Sequence, residues 1–298
     1  MTRYPLMVAA LLVSGVAAAD PNDFQIYKLG NPNSGGGSVG YDASSNANFR
    51  AFARYLGAGL SSSNLAPPET LGHSGMSISV EESLIFFSTD PKLMPTEQKY
   101  GGSIIDVPSV HIRKGLPLSF EIGGKMGWFD KSRMGVGTLE LKWALNEGFT
   151  YLPDIAVRGS ITKLINSRDF DLTIGGVDLG IGKQFAIGGM ITLTPYVGWN
   201  LLFVGASSDN VDFNPTRTPA QADDPSMQFT NIYTYDSLPA VSNSHNRFYG
   251  GLRFKAAPLV LTAEASYSVI GKFKDKTTNA DVDVPSLFAL NFALGIEF

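Results

Sequence analysis

Ten segments of the chain alternate between large apolar side chains and small or polar ones. In residues 286–298, SLFALNFALGIEF, every second residue from Phe288 to Phe298 is large and apolar, and the residues between are mostly small or polar. Successive side chains of a β-strand point to opposite sides, so this alternation predicts a strand with one apolar face. The ten predicted strands are residues 75–87, 103–113, 117–129, 139–145, 154–164, 170–185, 190–205, 245–255, 259–269 and 286–298.

The alternation changes phase inside the sixth predicted strand. Leu172 and Ile174 are even-numbered, whereas Val177, Leu179 and Ile181 are odd-numbered, with two glycines at 175–176 between the two sets. An extra residue in one strand shifts the phase in this way, so the pattern predicts a β-bulge at the glycines. The phase also blurs at Glu82 in the first strand, which admits a second bulge.

The connections between the predicted strands divide into short and long ones. Short connections follow the second, sixth and eighth strands, and long polar ones follow the first, seventh and ninth. Short turns at one end and long loops at the other are typical of outer-membrane barrels. The pattern predicts an all-β, antiparallel up-and-down transmembrane barrel over residues 75–298, with about ten strands and both termini at the short-turn end. Eight or twelve strands stay open, because weak strands could lie within 24–30 or 228–236.

The front of the chain divides into three parts. Arg3, an apolar run and the small residues 17–19 predict a secretory signal peptide over residues 1–19. Residues 20–45 are rich in Gly, Asn and Ser and predict a flexible lead. In residues 46–60, apolar side chains recur at spacings of three and four, which predicts a short amphipathic helix with Asn46 or Asn48 as its cap. The apolar face of the helix consists of Phe49, Phe52, Tyr55, Leu56 and Leu60.

A helix ahead of a barrel has three possible positions. It can plug the lumen, lie at the periplasmic surface of the membrane, or dock on another protein. Pro67 and Pro68 end any helical run before Glu69. The flexible lead and the helix therefore form a separate region, residues 20–74.

Composition narrows the classes of function. The chain has no cysteine, which removes disulfides and thiolate chemistry, and its net charge of −4 does not favour nucleic-acid binding. Beyond the signal peptide, no apolar run reaches the roughly 18 residues that a spanning helix needs. A closed barrel is the architecture that crosses a membrane without such a helix.

The polar faces of the predicted strands carry ionisable side chains into the lumen. The predicted lumen-lining residues are Glu81, Glu121, Glu140, Asp171, Asp178, Glu264 and Glu297 as acids, and Arg113, Lys125, Lys142, Arg158, Arg253 and Lys255 as bases, with His111 beside them. Ion channels select with a ring of one charge, whereas a balanced set suits cross-strand ion pairs, for example Arg253 or Lys255 with Glu264. The interior is therefore interpreted as mainly a structural network, with a narrow or gated path for small solutes as the alternative.

Candidate chemistry is limited to three histidines. His73 lies in a polar turn, His111 faces the lumen where Glu121 could orient it, and His245 lies in a Ser-His pair near a long loop. No nucleophile elbow, phosphate loop or zinc-spaced histidines occur, so we expect no catalytic residue, no metal site and no cofactor. Aspartates in the loop 206–244 are too scattered for a calcium site, and the loop is interpreted as a solvated surface.

The carboxy-terminal strand, which ends on Phe298, resembles the terminal strand of Gram-negative outer-membrane β-barrel proteins. The resemblance implies export to the outer membrane, contacts with lipid and lipopolysaccharide, and recognition of this strand by the barrel-assembly machinery. The expected function is a non-enzymatic one: a narrow or plugged channel or carrier for small or amphiphilic molecules. The alternatives are a structural or adhesive barrel that acts through its outer loops and, less favoured, a surface lipid- or peptide-hydrolase that uses His111 or His245.

Overall fold

Ten antiparallel strands close into one barrel. The computed structural model describes residues 21–32, 39–42, 44–96, 104–188, 190–213, 215, 232–276 and 279–298, so the predicted signal peptide lies outside the described residues. The strands are β1 (Met76–Phe86), β2 (Ile104–Leu116), β3 (Phe120–Trp128), β4 (Gly135–Asn146), β5 (Asp154–Ile165), β6 (Phe170–Gly182), β7 (Ile191–Ser208), β8 (Ser244–Ala256), β9 (Leu259–Val269) and β10 (Leu287–Glu297). Each strand pairs with its neighbours in sequence, and β10 pairs with β1 to close the cylinder.

The predicted barrel and its strand count are confirmed. Each of the ten predicted strands corresponds to one observed strand. In the two segments held open for further strands, the described residues do not join the barrel. Residues 24–30 contain the short 3₁₀ helix Ile26–Leu29, and Ile232–Tyr233 pairs with Val211–Asp212 outside the barrel.

The outward faces of the strands form an apolar belt. Side chains such as Leu139, Val177, Phe248, Phe292 and Leu294 are exposed on this surface. Such a belt around a closed barrel suits contact with the hydrocarbon of a membrane. In the described part of the chain, helices are too short or too polar to cross a membrane.

The two ends of the barrel differ. The short-turn end carries the connections 117–119, 147–153, 183–190 and 257–258, and the long-loop end carries 87–103, 129–134, 166–169, 209–243 and 270–286. The 3₁₀ turn Ala240–Ser242 and the hairpin Gly271–Lys274 with Asp281–Val284 belong to the long-loop end. Since outer-membrane barrels have short periplasmic turns, the long-loop end corresponds to the outer side.

Two predicted bulges are absent. The β6–β7 register runs without a break from Phe170 to Gly182, and the β1–β2 register passes Glu82 unchanged. Leu172 and Ile174 therefore face inward and are buried, whereas Asp171, with a side chain 68% exposed, faces outward and does not line the lumen. The prediction was wrong because it took every large apolar side chain as lipid-facing.

The observed irregularity lies elsewhere. The register between β4 and β5 shifts between Ala144 and Asn146, beside the long turn of the short-turn end. An extra residue at a barrel rim is a common position for a bulge, since pairing ends there. From Ala144 back to Gly135, toward the long-loop end, the pairing of β4 with β5 is regular, so the same residues stay on the lumen face.

The described part of the predicted flexible lead is packed, which corrects that prediction. Phe24, Ile26 and Leu29 are buried, and Asn31–Pro32 pairs with Val39–Gly40. The sequence contains too few apolar residues here to form a core of its own. The missing apolar surface is supplied by the inner wall of the barrel.

Candidate functional site: the filled lumen

Helix α1 (Ser45–Leu60) lies inside the barrel, in the half nearer the long-loop end. Phe49, Phe52 and Leu56 are fully buried. The helix approaches the wall closely at two glycines, because a Cβ added to Gly57 would lie 2.7 Å from Val204 and one added to Gly59 would overlap the ring of Phe87. Of the three predicted positions for the helix, the observed one is inside the lumen.

The start of the helix differs from the prediction. The helix begins at Ser45, and the carboxylate of Asp42 accepts a hydrogen bond from the Ser45 amide at 3.0 Å. Asn46 and Asn48 do not cap the helix; the Asn48 side chain donates to the carbonyl of Leu29 at 2.8 Å. The two asparagines therefore connect α1 to neighbouring segments instead.

An apolar chamber surrounds the helix. Phe52 makes edge contacts with Phe24 and Phe170, each with ring centroids 5.3 Å apart. Phe49 stacks on Tyr235 at 4.7 Å, and burial raises the pKa of the Tyr235 phenol. The inward wall residues of the chamber are Ile85, Ile105, Val107, Val136, Leu164, Leu172, Ile174, Leu202, Val204 and Leu287. These contacts form one hydrophobic core, which sequence reasoning missed because it assigned apolar residues to the lipid face.

Residues 61–75 continue from the helix through the other half of the lumen. The backbone and hydroxyls of Ser61, Ser62 and Ser63 accept hydrogen bonds from barrel cations: Arg247 donates to Ser61 and Ser62, and Arg158 to Ser62 and Ser63. We call α1 together with residues 61–75 the plug. Carbonyl and hydroxyl oxygens of its serine-rich part accept hydrogen bonds from the basic groups of the wall.

The part of the plug nearer the short-turn end is held by further charged groups. The amide of Leu65 donates to Glu264 at 3.1 Å, and Lys142 donates to the carbonyl of Glu69 at 3.0 Å. The Glu69 carboxylate pairs with Arg253 at 2.9 Å. Burial of several such groups together is costly unless each has a partner, so these contacts fix the path of the chain.

The plug runs through the barrel from one end to the other. Near its start the described chain contacts the long-loop end, where Asn22 bonds to the backbone of Asp130 and Lys131. The plug then descends to Gly75, next to the start of β1 at the short-turn end. The first described residues therefore lie at the long-loop end, whereas both termini were expected at the short-turn end. An even number of strands places the start of β1 and the end of β10 at the same end of the barrel. The plug precedes β1 and crosses the lumen, so the residues before the plug lie at the opposite end.

The short-turn half of the wall carries a network of ion pairs. The buried inward side chains are Glu81, His111, Arg113, Glu121, Glu140, Lys142, Arg158, Asp178, Arg253, Glu264 and Glu297, with Lys125 and Lys255 less buried at its margins. Arg158 bridges Glu140 at 2.8 Å and Asp178 at 3.0 Å, and Lys125 pairs with Glu81 at 2.7 Å.

Two predicted pairings in this network are wrong. Arg253 and Lys255 pair with Glu297, not with Glu264, whose carboxylate is bonded to the plug and to the Tyr196 hydroxyl. The register places Glu264 opposite Gly251, one inward position away from Arg253. The Tyr196 hydroxyl and the Leu65 amide occupy the Glu264 carboxylate instead.

The histidines contact no nucleophile in the described structure. His111 lies between Glu81 at 2.8 Å and Glu140 at 2.9 Å, not next to Glu121 as predicted, and both carboxylates are also paired with cations. His245 is buried on the lumen face, and His73 is exposed in its turn. Both ring nitrogens of His111 are therefore bonded to carboxylates that belong to the ion-pair network.

Tyrosines opposite glycines are a feature that the sequence reading missed. In the β7–β8 register Gly198 lies opposite Tyr249, and Tyr196 lies opposite Gly251. A Cβ on either glycine would overlap the opposing ring, so the absent side chains make room for the phenols inside the lumen. The Tyr249 hydroxyl donates to Asp178 at 2.6 Å. The pairing becomes visible in the sequence only when the register of the two strands is known.

Cavities border the plug at both mouths of the barrel and between them. A cleft of about 190 Å³ lies at the long-loop end, and a vestibule of about 560 Å³ lies at the short-turn end beside Glu69 and Lys183. Between them, a space of about 30 Å³ next to Ser62 and Lys125 is large enough for about one water molecule. The plug therefore separates the two mouths in this conformation.

The chain resembles known proteins in structure, at low sequence identity. No family model and no curated protein sequence matches the chain. Several solved structures match. The attachment invasion locus protein Ail of Yersinia pestis, in complex with sucrose octasulfate, matches at 12% identity over 76% of this chain and 99% of that chain, with a TM-score of 0.28. The outer membrane protease OmpT of Escherichia coli matches at 10% identity over 77% of this chain and 97% of that chain, with a TM-score of 0.36. The β domain of the Bordetella autotransporter BrkA matches at 8% identity over 76% of this chain and 100% of that chain, with a TM-score of 0.40.

These proteins are Gram-negative outer-membrane β-barrels with different functions. With its closed barrel and apolar belt, the present chain has the architecture of a membrane-spanning β-barrel. At these identities and TM-scores the matched proteins' activities are not transferred to this chain. Its function is argued from its own lumen.

Proposed function

We propose that this protein is a plugged, gated channel or carrier that moves small or amphiphilic molecules across the outer membrane without catalysing a reaction. The observation that supports the proposal is the plug itself. It traverses the lumen and separates a cleft at one mouth from a vestibule at the other. Passage requires the plug to move.

The two halves of the lumen wall favour amphiphilic cargo. The chamber wall near the long-loop end is apolar, whereas the wall near the short-turn end is lined by ion pairs and hydroxyls. A molecule that replaced part of the plug would meet apolar surface first and polar surface afterwards. A water-filled porin, by contrast, has a polar interior along its whole length.

The contacts that hold the plug are compatible with movement. They are non-covalent. In the half of the lumen nearer the short-turn end, many of them join carbonyl and hydroxyl oxygens of the plug to charged groups of the wall, such as Arg247 and Lys142. Water can replace such oxygens as a partner when the plug shifts. The wall keeps its own ion pairs in that event, because Arg158 and Lys125 each have an acid partner on the barrel.

A disulfide lock tests the proposal. A Cβ built on Gly57 lies 3.4 Å from the Cβ of Val204, close to the separation of about 3.8 Å found in disulfides. The chain has no cysteine of its own, so the Gly57→Cys, Val204→Cys variant contains a single pair. In planar bilayers, we expect the oxidised variant to be silent and the reduced variant to show transient conductance steps.

A matched pair gives the control. Gly205 and Ala240 have the same 3.4 Å separation, but a disulfide between them ties a long loop to β7 and leaves the plug unlocked. We expect the Gly205→Cys, Ala240→Cys variant to conduct in both redox states. Equal conductance of the plug-locked variant before and after reduction would contradict the gating mechanism.

The second candidate is a structural or adhesive barrel that acts through its outer loops. The observation that favours it is the packing of the chamber, where Phe24, Phe52 and Phe170 form an aromatic core as in a permanently folded domain. Silence of the reduced lock variant and of a barrel lacking residues 20–74 would select this candidate over the channel.

A further inference from the structure

Two arginines of the plug helix, like Arg247 of the wall, form no ion pair with a described carboxylate; Arg247 donates instead to oxygens of Ser61 and Ser62. Six inward bases of the wall form ion pairs with carboxylates: Arg113, Lys125, Lys142, Arg158, Arg253 and Lys255. Arg50 and Arg54 form none with any described carboxylate. They lie one helical turn apart, so their side chains project from the same face of α1.

Arg54 is the more deeply buried of the two, with 5% of its surface exposed. One terminal nitrogen donates to the carbonyl of Ile270 at 2.7 Å, and its Nε has no hydrogen-bond partner among the described residues. Both guanidinium groups lie over the ring of Phe273, at 4.5 Å for Arg50 and 5.4 Å for Arg54. An aromatic face attracts a cation but supplies no oxygen to its N–H groups.

A second buried polar group faces the same region. His245 is 3% exposed, and neither ring nitrogen has a hydrogen-bond partner in the described structure. Its imidazole lies near enough to Arg54 for their charges to interact. An unbonded Nε also occurs at Arg158, Arg247 and Arg253, whereas His245 has two unbonded nitrogens on one buried ring. Buried polar groups usually have a partner, so this region has room in its hydrogen bonding for a further group.

The cleft at the long-loop end reaches the first of these residues, Arg50, from outside, and Phe273, over whose ring both guanidinium groups lie, also lines it. Arg50 forms part of its lining together with Leu238, Pro239 and Phe273. Lys274 and Lys276 add two further bases, and Asp236 and Asp275 are the acids of the lining. The lining thus has three bases and two acids, and Arg54 lies one helical turn behind Arg50 as a fourth base. Leu238, Pro239 and Phe273 form an apolar wall of the cleft.

We propose that this cleft binds a small organic oxyanion, a carboxylate or a phosphate, whose charged group bridges Arg50 and Arg54 while its apolar body lies against Leu238 and Phe273. A buried cation without a partner is costly, and an oxyanion removes that cost. Guanidinium groups bind both carboxylates and phosphates with paired hydrogen bonds, which is why the oxyanion defines the ligand class. The inference deepens the proposed function by naming the charge of the cargo.

Calorimetric titration of the full-length protein in non-ionic detergent tests the site. The probes are benzoate and phenyl phosphate, with benzyl alcohol and benzylamine as neutral and cationic matches of the same size. We expect one or both oxyanions to bind and the other two probes to give no binding. Substitution Arg54→Gln is expected to weaken oxyanion binding about 10- to 100-fold, the range for hydrogen bonds to a charged group. Arg50→Gln is expected to act in the same direction and serves if the first variant does not fold.

The control is Lys163→Gln, which removes an exposed base of β5 that lies outside the cleft. We expect this variant to titrate like the native protein. Without ligand, Arg54→Gln is expected to unfold at the same temperature as the native protein or a higher one, because it removes an unpaired buried charge. Equal binding of benzyl alcohol, or unchanged benzoate and phenyl phosphate binding in both arginine variants, would overturn the proposal. Titration measures binding without transport, so its failure is distinguishable from failure of the gating experiment.

Discussion

Phe52 packs the plug helix against the wall and the amino-terminal segment, and its removal should loosen the helix in the lumen. The side chain is fully buried and makes edge contacts with Phe24 and Phe170. Truncation of a buried phenylalanine to alanine costs about 3–5 kcal/mol, through lost transfer free energy and the cavity left behind. The two aromatic contacts are included in that range, since each contributes about 0.5–1.5 kcal/mol.

The cost of Phe52→Ala falls on the docked plug, because the barrel strands keep their own hydrogen bonds. Each 1.4 kcal/mol is a factor of ten, so the undocked population should rise about 100- to 5,000-fold. Amide hydrogen exchange reads this equilibrium directly, since local opening sets the exchange rate. We expect the amides of α1 to exchange faster by that factor, while the amides of the ten strands keep their native rates.

The matched control is Phe248→Ala, the same change of side chain on the outward face of β8. This variant loses lipid contact but no contact with the plug, so we expect the exchange of α1 to stay native. If α1 exchanged at its native rate in Phe52→Ala, or equally fast in both variants, the packing argument for the plug would be refuted.

Three further predictions concern topology and packing. An epitope tag inserted after Asp20 should be stained on intact cells, because the chain enters the lumen at the long-loop end; staining only after permeabilisation would oppose this path. Val177→Cys should react with a lipid-phase maleimide and Leu172→Cys should not, whereas reaction of both would restore the bulge in β6. Gly198→Ala should lower the free energy of unfolding by about 1–3 kcal/mol, since the new Cβ would overlap Tyr249; unchanged stability in a denaturant titration would show that the ring can move aside.

The barrel itself follows from the sequence because its signal is local. In β10, alternation from Phe288 to Phe298 assigns each residue to a face without knowledge of any other strand. The same reading located polar inward residues such as Arg158 and Asp178. A polar side chain in the middle of an outward face would meet lipid, so parity places it in the interior there; Asp171, at the long-loop end of β6, faces outward.

The phase of β6 could not be read in that way. Leu172 and Ile174 are inward because α1 and Phe52 lie against that part of the wall. Apolar side chains are equally stable against lipid and against a buried helix. Only the position of the plug decides between the two faces, and the plug is remote in sequence.

The amino-terminal segment was misread for a related reason. Phe24, Ile26 and Leu29 are few among glycines and asparagines, so no local pattern marks them as core residues. Their burial depends on a chamber built by strands that begin about fifty residues later in the chain. The charge pairs of Glu264 and His111 required the register of the barrel in the same way.

The position of α1 against the inner wall is the claim on which the rest of the account depends. Oxidative cross-linking of the Gly57→Cys, Val204→Cys variant in isolated outer membranes measures it directly, with Gly57→Cys, Val197→Cys as the control because Val197 faces outward on the same strand. The account predicts that the first variant forms an intramolecular disulfide, visible as a mobility shift that reduction reverses, and that the control does not. Absence of the disulfide in the first variant, or equal cross-linking in both, would contradict a helix lodged inside the barrel.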